Sequence, residues 1–303
     1  TLDCPQCIGT PKMVEVGSHP NIELLTYSEV EGVSGNAGDF KVQIRKKARC
    51  VDEGKCTGCG DCFRQCPWKV DSVFEAGMGR RKAIYIPFPQ AVPNIPVIDR
   101  EHCAYFLKGT CRICENVCEA KAIKFEQEDE ILDREAGAIV VATGYDVFDA
   151  RLKPEYGYGI YPNVITGLEL ERLSSPSGPT GGKIEVNGVE PRLVVFIHCV
   201  GSRDKSVNVE YCSRVCCMYT AKQAYYIKSK IPEAKVTVCY IDIRAFGKGY
   251  EEFYERVQRE GVIYSRGAVS EVYRRGDKLI VRAEDTLLGE TYEEEADLVA
   301  VSY

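Results

Sequence analysis

The chain has 303 residues, enough for two domains with an insert, and a formal net charge of −6 at pH 7. This acidic balance argues against a phosphate-binding surface, so we expect no nucleic-acid partner. No apolar run reaches the roughly 18 residues that span a bilayer, and no charged-then-apolar leader opens the chain. The 16 cysteines lie in tight groups, which is typical of metal or redox sites in a reducing compartment. We therefore expect a soluble, cytoplasmic protein.

In chain order, the first predicted elements are a strand and an alternating β-ribbon within residues 21–47. A buried β-branched strand at 135–145 follows them much later. The same succession returns at 261–285 and 294–303, so we predict two related units. Ribbon and last strand lie about ten residues apart in the second unit and some ninety apart in the first.

Most of the remaining cysteines fall inside that long gap of the first unit. We infer an inserted domain at 50–127, bounded by a basic run and an acidic run. The first unit then comprises residues 1–49 and 128–173. The second unit comprises residues 174–303 and begins with the turn-rich stretch 174–182.

The second unit has an alternating order of strands and helices. Its pattern predicts a strand at 192–198, a cysteine-rich loop, a helix at 213–230, a strand at 235–243 and a helix at 250–261. This order implies a parallel sheet in an α/β fold, the layout of a Rossmann-type half.

The run CTGCGDCFRQCP at 56–67 has the cysteine spacing and the following proline of bacterial two-cluster ferredoxins. Its downstream partner is looser, because seven residues separate Cys103 from Cys111 and Glu119 follows Cys118. Crossed ligation still assigns eight thiolates to two 4Fe–4S clusters. The predicted ligands are Cys56, Cys59, Cys62 and Cys118 for one cluster, and Cys66, Cys103, Cys111 and Cys114 for the other. Two structural zinc sites are the alternative, but the third C-x-x-C step and the proline are superfluous for zinc.

A third group of cysteines follows the strand at 192–198, where a dinucleotide-binding fold carries glycines. Cys199 ends the strand, Cys212 and Cys216 stand one helical turn apart, and Cys217 completes a set of four. The N-terminus of the predicted helix suits an anion, and a cluster with four thiolates is an anion. Buried apolar cysteines, a reactive thiol or a vicinal disulfide at Cys216 and Cys217 remain alternatives.

Seven motifs distributed over nearly the whole chain share one resemblance. They are TLDCPQCIGTPKMVEVGSHPNIELLTYSEVE, CTGCGDCFRQCP, RKAIYIPFPQAVP, ATGYDVFD, EYGYGIYPNVITGLELERL, CVGSRDKSVNVEYCSRVCCMYTAKQA and YIDIRAFGKGYEEFYERVQ. With these motifs the chain resembles the A subunits of heterodisulfide reductases and their relatives, the flavin-containing iron–sulfur subunits of anaerobic electron-transfer complexes.

The resemblance implies two Rossmann-like, thioredoxin-reductase-like dinucleotide-binding units with an inserted α+β ferredoxin domain that holds two 4Fe–4S clusters. Residues 1–49 and 128–173 would bind FAD, and residues 174–303 would carry a third 4Fe–4S cluster in place of NAD. The implied function is flavin-based electron bifurcation, which couples ferredoxin reduction to reduction of a disulfide of the CoM-S-S-CoB type. The implied partners are ferredoxin and subunits that reduce the disulfide or link to a hydrogenase or formate dehydrogenase, in a homodimer of heteromers.

The resemblance also names candidate flavin neighbours. Ala142, Thr143 and Gly144 form a tight turn that suits close approach of the backbone to a nucleotide, although an ordinary loop would have the same pattern. Lys222 follows Cys217 by five residues and could reach the flavin N5, with a solvated lysine as the alternative. Glu169 resembles a family acid that would pair with Lys222.

The chain also departs from the family pattern. It contains no G-x-G-x-x-G motif, it starts at Thr1 without a methionine, and we expect an excerpt of a longer protein. An NAD(P)H oxidoreductase of the glutamate-synthase small-subunit type is the alternative enzyme, disfavoured because the second unit lacks the glycine turn. A structural zinc module for protein or RNA contacts is disfavoured by the charge and by the ferredoxin spacing.

The other cysteines and polar residues receive plainer interpretations. Cys4 and Cys7 could be a redox pair, partial cluster ligands or buried thiols. Cys50 and Cys239 are predicted to be packing cysteines, and Trp68 a core residue. The histidines are predicted to be ordinary polar residues, although His198 could hydrogen-bond a cluster next to Cys199. The histidines are His19, His102 and His198.

Overall fold

The computed structural model describes residues 5–144 and 146–303. They divide into two compact units, one formed by residues up to 144 and one by residues from 146 onward. We describe each unit by itself.

The first unit combines one long helix, three longer antiparallel strands and a group of short helices and hairpins. Its elements are α1 (Pro5–Ser18), β1 (Ser28–Asn36), β2 (Asp39–Lys46), α2 (Asp61–Gln65), β3 (Lys69–Asp71), β4 (Arg80–Lys82), β5 (Ile84–Tyr85), β6 (Val97–Ile98), α3 (Ala104–Lys108), α4 (Ile113–Asn116) and β7 (Glu130–Ala136).

The predicted ribbon of the first unit is the antiparallel pair of β1 and β2. Residues along β2 alternate between exposed and half-buried, as expected of a strand with one face packed and one in water. The strand β7 pairs antiparallel with β2, with Phe40 opposite Ala136 and Lys46 opposite Glu130. The chain between β2 and β7 therefore leaves and re-enters one sheet at neighbouring positions, which is the geometry of an insertion.

The inserted segment has its own small core, and cysteines make up much of it. The buried residues of this core are Ala48, Cys50, Val51, Cys62, Cys66, Ala83, Ile84, Ile98, Cys103, Cys114, Ala122, Ile123 and Phe125. The aromatic rings of Tyr105 and Phe125 stack at 3.9 Å between centroids against this core. Helices of four or five residues cannot bury much apolar surface, so thiols supply part of the packing.

The buried strand predicted at 135–145 does not form beyond Ala136. Residues 137–144 have no regular structure, and Val140 and Val141 are 91% and 77% exposed. All strand pairs described within the first unit are antiparallel, so no parallel neighbour covers this apolar run. Of the two expected Rossmann-like units, the described residues contain only the second.

The second unit alternates strands and helices and ends in a meander. Its elements are β8 (Val164–Thr166), α5 (Gly167–Ser174), β9 (Leu193–Ile197), α6 (Cys216–Lys230), β10 (Lys235–Tyr240), α7 (Tyr250–Arg259), β11 (Ile263–Arg266), β12 (Val269–Arg275), β13 (Lys278–Asp285), β14 (Glu290–Ala296) and β15 (Leu298–Val301).

Five of these strands form one parallel sheet in the order β11-β10-β9-β15-β8. The order β11-β10-β9 is that of a mononucleotide-binding half, in which the first strand lies at the centre. Strands β12, β13 and β14 form an antiparallel sheet. Apolar residues of both sheets share one core, which includes Val195, Leu279 and Val299. The predicted parallel α/β layout of this unit is confirmed.

The boundary of the second unit differs from the one drawn on the sequence. The sequence pattern places residues 146–173 in the first unit, but β8 pairs in parallel with β15, and α5 packs beside α6. A three-residue strand carries too weak a sequence signal to reveal its sheet, since only the pairing partner identifies it. No helix within the described residues is long and apolar enough to cross a bilayer.

Candidate metal centres

The first predicted ligand set lines one cavity of the first unit. The cysteines in the wall of this cavity are Cys56, Cys59, Cys62 and Cys118. Gly60, with φ of +85°, turns the chain between them, and a Cβ there would lie 2.8 Å from the Phe63 ring. The structure thus brings together three cysteines of the local run and one that is more than fifty residues away.

Burial raises the pKa of the Cys62 thiol to about 11, while the Phe63 N–H opposes this rise. The neighbouring cysteines of the same set raise it further, because a thiolate at one position repels charge at the next. Ala122 donates its backbone N–H to the Cys118 sulfur at 3.3 Å. Four sulfurs in one small cavity therefore ionise together only with a cation among them.

The second predicted set gathers around α3 and α4. Burial raises the pKa of Cys103, and Cys66 and Cys111 add to this effect. Burial raises the pKa of Cys114 to about 12, with further contributions from Cys103, Cys62 and Cys66. Because Cys114 also interacts with Cys62, the two sets adjoin each other.

The third set lies at the carboxyl edge of the parallel sheet of the second unit. Cys199 stands two residues after β9 with φ of +59°, and Cys216 and Cys217 begin α6. In α/β sheets, ligands bind at this edge where the strand order reverses, here between β9 and β15. The sequence predicted that Cys212 and Cys216 lie one turn apart on the same helix. This prediction is wrong, because α6 begins at Cys216. Cys212 approaches from the preceding loop instead.

The sulfurs of the third set also interact with each other. A hydrogen bond from the Cys216 thiol lowers the pKa of Cys199 and raises that of Cys216 to about 11. A hydrogen bond with Cys216 likewise raises the pKa of Cys217 to about 12. Arg214 donates its backbone N–H to the Cys212 sulfur at 3.3 Å. The donor set is thus four sulfurs with an N–H donor, the chemistry of an iron–sulfur ligand shell.

Positive charge borders the third set. Arg203 and Arg244 both pair with Asp242, at 2.8 and 3.3 Å. The Arg203 guanidinium contributes to the lowered pKa of Cys199, and the carbonyl of Asp242 accepts a weak hydrogen bond from the Cys217 thiol at 3.7 Å. This border stabilises negative charge on the sulfurs. The sequence did not single out these residues, because 39 residues separate Arg203 from Asp242.

Lys222 is buried within α6, which excludes the solvated lysine considered as an alternative. Its Nζ pairs with Glu171 Oε1 at 2.5 Å, and Gln223 donates to the other oxygen of Glu171 at 3.4 Å. The predicted pairing of Lys222 with Glu169 is not found. Glu169 instead accepts the N–H of Thr166 at 2.6 Å in a capping box.

Glu169 has a second partner, because Tyr158 donates its hydroxyl to Glu169 Oε1 at 3.1 Å. Glu169 and Glu171 differ by two positions on a short helix, so their side chains leave it in different directions. The sequence around α5 does not indicate that Glu169 caps the helix and that Glu171 pairs with Lys222.

Ala142, Thr143 and Gly144 lie in the first unit, in the exposed run after β7. Gly144 has φ of +78°, and, leaving out its chain neighbours, no atom of the described residues lies within 4 Å of the position that a Cβ would take. The backbone of this turn is therefore open to a neighbour, as close approach to a nucleotide requires.

The remaining cysteines and Trp68 divide between confirmed and corrected predictions. Cys50 and Cys239 are buried, as predicted for packing residues. Cys7 is exposed on α1, and Cys4 lies outside the described residues. Trp68 is not a core residue, because it is 42% exposed and the Lys108 ammonium lies 5.9 Å from its ring centroid.

The histidines also differ from one another. His19 is exposed, and His102 lies 3.0 Å from a carboxylate oxygen of Asp99. His198 is 6% exposed, and neither ring nitrogen has a hydrogen-bond partner among the described residues. One of its nitrogens lies within 4.8 Å of the sulfurs of Cys216 and Cys217. His198 is therefore not the ordinary polar residue that we predicted.

The chain is similar to curated A subunits of heterodisulfide reductases. The A subunit of H(2):CoB-CoM heterodisulfide,ferredoxin reductase from Methanothermobacter marburgensis is 53% identical over 305 residues, which cover 99% of this chain and 46% of that protein. The iron-sulfur A subunit of CoB–CoM heterodisulfide reductase from Methanocaldococcus jannaschii is 52% identical over 308 residues, covering 100% and 46%. The A subunit of Ferredoxin:CoB-CoM heterodisulfide reductase from Methanosarcina mazei is 48% identical over 306 residues, covering 100% and 38%. The chain spans less than half the length of these relatives.

No family model matches the chain. Among solved structures, the thioredoxin reductase of T. acidophilum aligns with a TM-score of 0.22 and 18% identity over 37% of this chain and 30% of that one. The ornithine hydroxylase PvdA of Pseudomonas aeruginosa aligns with a TM-score of 0.32 and 11% identity over 59% and 47%. At these values the likenesses carry no inference about fold or function.

Proposed function

Because this chain is homologous over nearly its whole length to the A subunits of heterodisulfide reductases, we propose that it is an electron-transferring part of such an oxidoreductase. In this proposal three 4Fe–4S clusters exchange electrons with FAD. The observation that carries it is the gathering of twelve cysteines into three sets of four.

The cysteines of each set would hold one cluster as thiolates. A 4Fe–4S cluster, when bound, supplies a carrier for single electrons. The residues of the chain do the rest. The six buried cysteines among the twelve shield the sites from water, the N–H groups of Ala122 and Arg214 donate to sulfur, and the arginines beside Asp242 stabilise negative charge. Cys114 and Cys62 belong to the same core of the inserted segment, so the first two clusters would be adjacent, which favours electron transfer between them.

Zinc is less well supported as the bound metal. Structural zinc takes four ligands at one ion, and a set of buried thiols could satisfy it. The cavity at the first set, however, has walls of Ile86, Pro96 and Ala120 beside its cysteines. A cavity with apolar walls and four cysteine sulfurs suits a 4Fe–4S cluster, which brings its own sulfides.

For the flavin we propose the turn at 142–144 as a backbone contact and Lys222 as a nearby positive charge. The buried Lys222 ammonium, five residues after Cys217 on one helix, would stabilise negative charge on a reduced isoalloxazine ring. Glu171 would hold this ammonium in place through its 2.5 Å ion pair. Glu169 remains a candidate neighbour of the flavin, with its carboxylate directed by Thr166 and Tyr158.

The finer proposal is flavin-based bifurcation, in which an electron pair divides between ferredoxin and a disulfide of the CoM-S-S-CoB type. Its support is that the names of relatives combine the heterodisulfide with ferredoxin. The partners would be ferredoxin and subunits that reduce the disulfide or link to a hydrogenase or formate dehydrogenase, in a homodimer of heteromers in the cytoplasm. The alternative function, that of an NAD(P)H oxidoreductase, is disfavoured because cysteines occupy the loop after β9 that would otherwise approach the nucleotide.

The experiment that tests the cluster proposal is anaerobic quantitation of iron, sulfide, zinc and flavin, with EPR of the dithionite-reduced protein. We expect about twelve iron atoms per chain in the wild type and about eight in Cys216→Ser. Cys239→Ser is the matched control, because Cys239 is equally buried but belongs to no set, and its iron should stay at about twelve. About eight iron atoms in both wild type and Cys216→Ser would refute the third cluster, and zinc without sulfide would refute all three.

The flavin proposal has a separate test in the full-length complex. We expect Lys222→Met to lower the reduction potential of the flavin, since it removes a positive charge beside the ring. The iron content should not change. An unaltered flavin potential and an unaltered yield of reduced ferredoxin would exclude the proposed role of Lys222.

A further inference from the structure

The imidazole of His198 is a buried polar group of the second unit whose two ring nitrogens both lack a hydrogen bond to the described residues. It is 6% exposed. Neutral imidazole always carries one N–H donor and one acceptor nitrogen. A buried donor without an acceptor is costly, and such groups are rare in folded proteins. Among the described groups, the Cys217 sulfur interacts with this imidazole, which opposes the rise in the pKa of Cys217. An acceptor for the ring N–H is therefore to be sought at the sulfurs of the third set.

The backbone holds this imidazole firmly at the third cysteine set. His198 follows β9 directly, and its backbone N–H donates to the backbone carbonyl of Cys239 at 3.1 Å. On the other side, the backbone N–H of Ser302 donates to the carbonyl of Ile197 at 2.8 Å. Both neighbouring strands thus fix the position of His198, and a swing of the backbone cannot bring the ring to water.

One ring nitrogen of His198 lies within 4.8 Å of the sulfurs of both Cys216 and Cys217. The imidazole thus lies beside two sulfurs of the third set. Sulfur bound to iron is a hydrogen-bond acceptor, and hydrogen bonds to cluster sulfurs are one of the factors that set reduction potentials.

We propose that His198 donates its ring N–H to a sulfur of the cluster held by Cys216 and Cys217, and that this hydrogen bond raises the reduction potential of that cluster. One electron added to the cluster increases the negative charge on its sulfurs. The hydrogen bond then becomes stronger, because a charged acceptor binds a donor more tightly than a neutral one. The reduced form is stabilised over the oxidised form, and the potential rises.

This inference rests on the proposed third cluster, and its test keeps the two apart. If Cys216→Ser retains all its iron, the cluster proposal fails. If Cys216→Ser loses about four iron atoms while the histidine variants behave as wild type, only the role of His198 fails.

The experiment is an EPR-monitored redox titration of the full-length protein, purified anaerobically, in wild type, His198→Leu and His198→Gln. Leucine removes the donor, whereas glutamine retains an N–H. At the wild-type midpoint potential we expect the ratio of reduced to oxidised cluster to fall about tenfold in His198→Leu, which for one electron corresponds to about 59 mV. His198→Gln should fall in between. His19→Leu, at an exposed position of the first unit, should leave the ratio unchanged.

Unchanged potentials in both His198 variants, with the full iron content, would overturn the proposal. Loss of about four iron atoms in both variants would overturn it as well, since His198 would then be a ligand rather than a donor. If His198→Leu does not fold, wild-type protein with ¹⁵N-labelled histidine supplies the answer. We expect a weak ¹⁵N coupling on the EPR signal that Cys216→Ser abolishes, and the absence of any such coupling would refute the hydrogen bond.

Discussion

The two cysteine-rich regions differ in what surrounds their sulfurs. Among the described residues, five of the thirteen in the core of the inserted segment are cysteines, and four of those five are proposed cluster ligands. The core shared by the two sheets of the second unit has fourteen residues, of which only Cys239 is a cysteine, and it is not a proposed ligand. In the inserted segment, the proposed metal ligands are therefore part of the core. In the second unit, the proposed ligands lie outside the core shared by the two sheets.

Similar ligand sets can therefore contribute very differently to the stability of the fold that carries them. Helices α2, α3 and α4 have four or five residues each and are too short to be stable alone. Metal binding can then supply the folding free energy, as it does in small metal-dependent domains. The parallel sheet of the second unit needs no metal for its core, so a cluster there contributes chemistry more than structure.

The largest expected effect is that of removing iron. After anaerobic oxidation and chelation, we expect the amides of the inserted segment to lose nearly all protection against hydrogen exchange. Amides of β9, β10 and β15 should retain theirs, because those strands pair with each other. Hydrogen exchange with mass spectrometry measures both regions in one sample. Equal loss of protection in both regions would show that they do not differ in their dependence on bound metal.

The converse experiment weakens the hydrocarbon core. Leu279 is fully buried on β13 within the core shared by the two sheets, and Leu279→Ala should destabilise the second unit by about 2–5 kcal/mol through lost burial and a residual cavity. The EPR signals of the first two clusters should persist at denaturant concentrations that unfold the second unit. Denaturant titration followed by both circular dichroism and EPR would detect this. Simultaneous loss of the two signals would show that the regions are not independent in stability.

A smaller effect concerns the loop that carries Cys199. Gly201 has φ of +65°, and a Cβ there would lie 2.3 Å from the Phe148 ring. Gly276 has a similar φ of +62° in the turn between β12 and β13, with no atom within 4 Å. Both Gly→Ala variants carry the strain of the left-handed conformation, so their difference isolates the steric clash.

We expect Gly201→Ala to be about 1–3 kcal/mol less stable than Gly276→Ala, the usual range for overpacking. It should also lose iron of the third cluster, while Gly276→Ala retains it. Urea denaturation and iron quantitation are the measurements. Equal stability and equal iron content in the two variants would mean that the loop accommodates the ring and that its glycine serves another purpose.

The smallest expected effect is at the start of α5. Thr166 accepts the Glu169 N–H at 3.2 Å in the capping box, and Thr166→Ala should cost about 1 kcal/mol of unfolding free energy. Because α5 carries Glu171, the flavin potential should move slightly in the same direction as in Lys222→Met. Iron content should stay constant. A change in stability without any shift of the flavin potential would show that α5 does not influence the proposed flavin site.

Sequence reasoning identified much of the candidate site because cluster ligands in a local run follow a fixed spacing. The run from Cys56 to Cys66 and the crossing to Cys118 needed no tertiary information, and the structure places Cys118 in the same cavity as Cys56. Local pattern also predicted the parallel sheet, since buried β-branched strands alternating with helices have few other arrangements.

Other features depended on groups that are distant in the chain. The run at 137–144 has the composition of a buried strand, yet Val140 and Val141 are exposed because burial depends on neighbouring strands and not on the run itself. The acid that pairs with Lys222 proved to be Glu171, since helix geometry directs Glu169 to the cap. The start of α6 at Cys216 moved Cys212 into the loop.

Spacing along the chain predicts which cysteines belong together in the ferredoxin-like run and which strands alternate with helices. Three features follow instead from the folded arrangement: the position of His198 beside Cys216 and Cys217, the pairing of Lys222 with Glu171, and the grouping of β8 with β15. The physical reason is that hydrogen bonds, ion pairs and strand pairing act over a few ångströms in space, and residues far apart in the chain satisfy them only after the chain has folded.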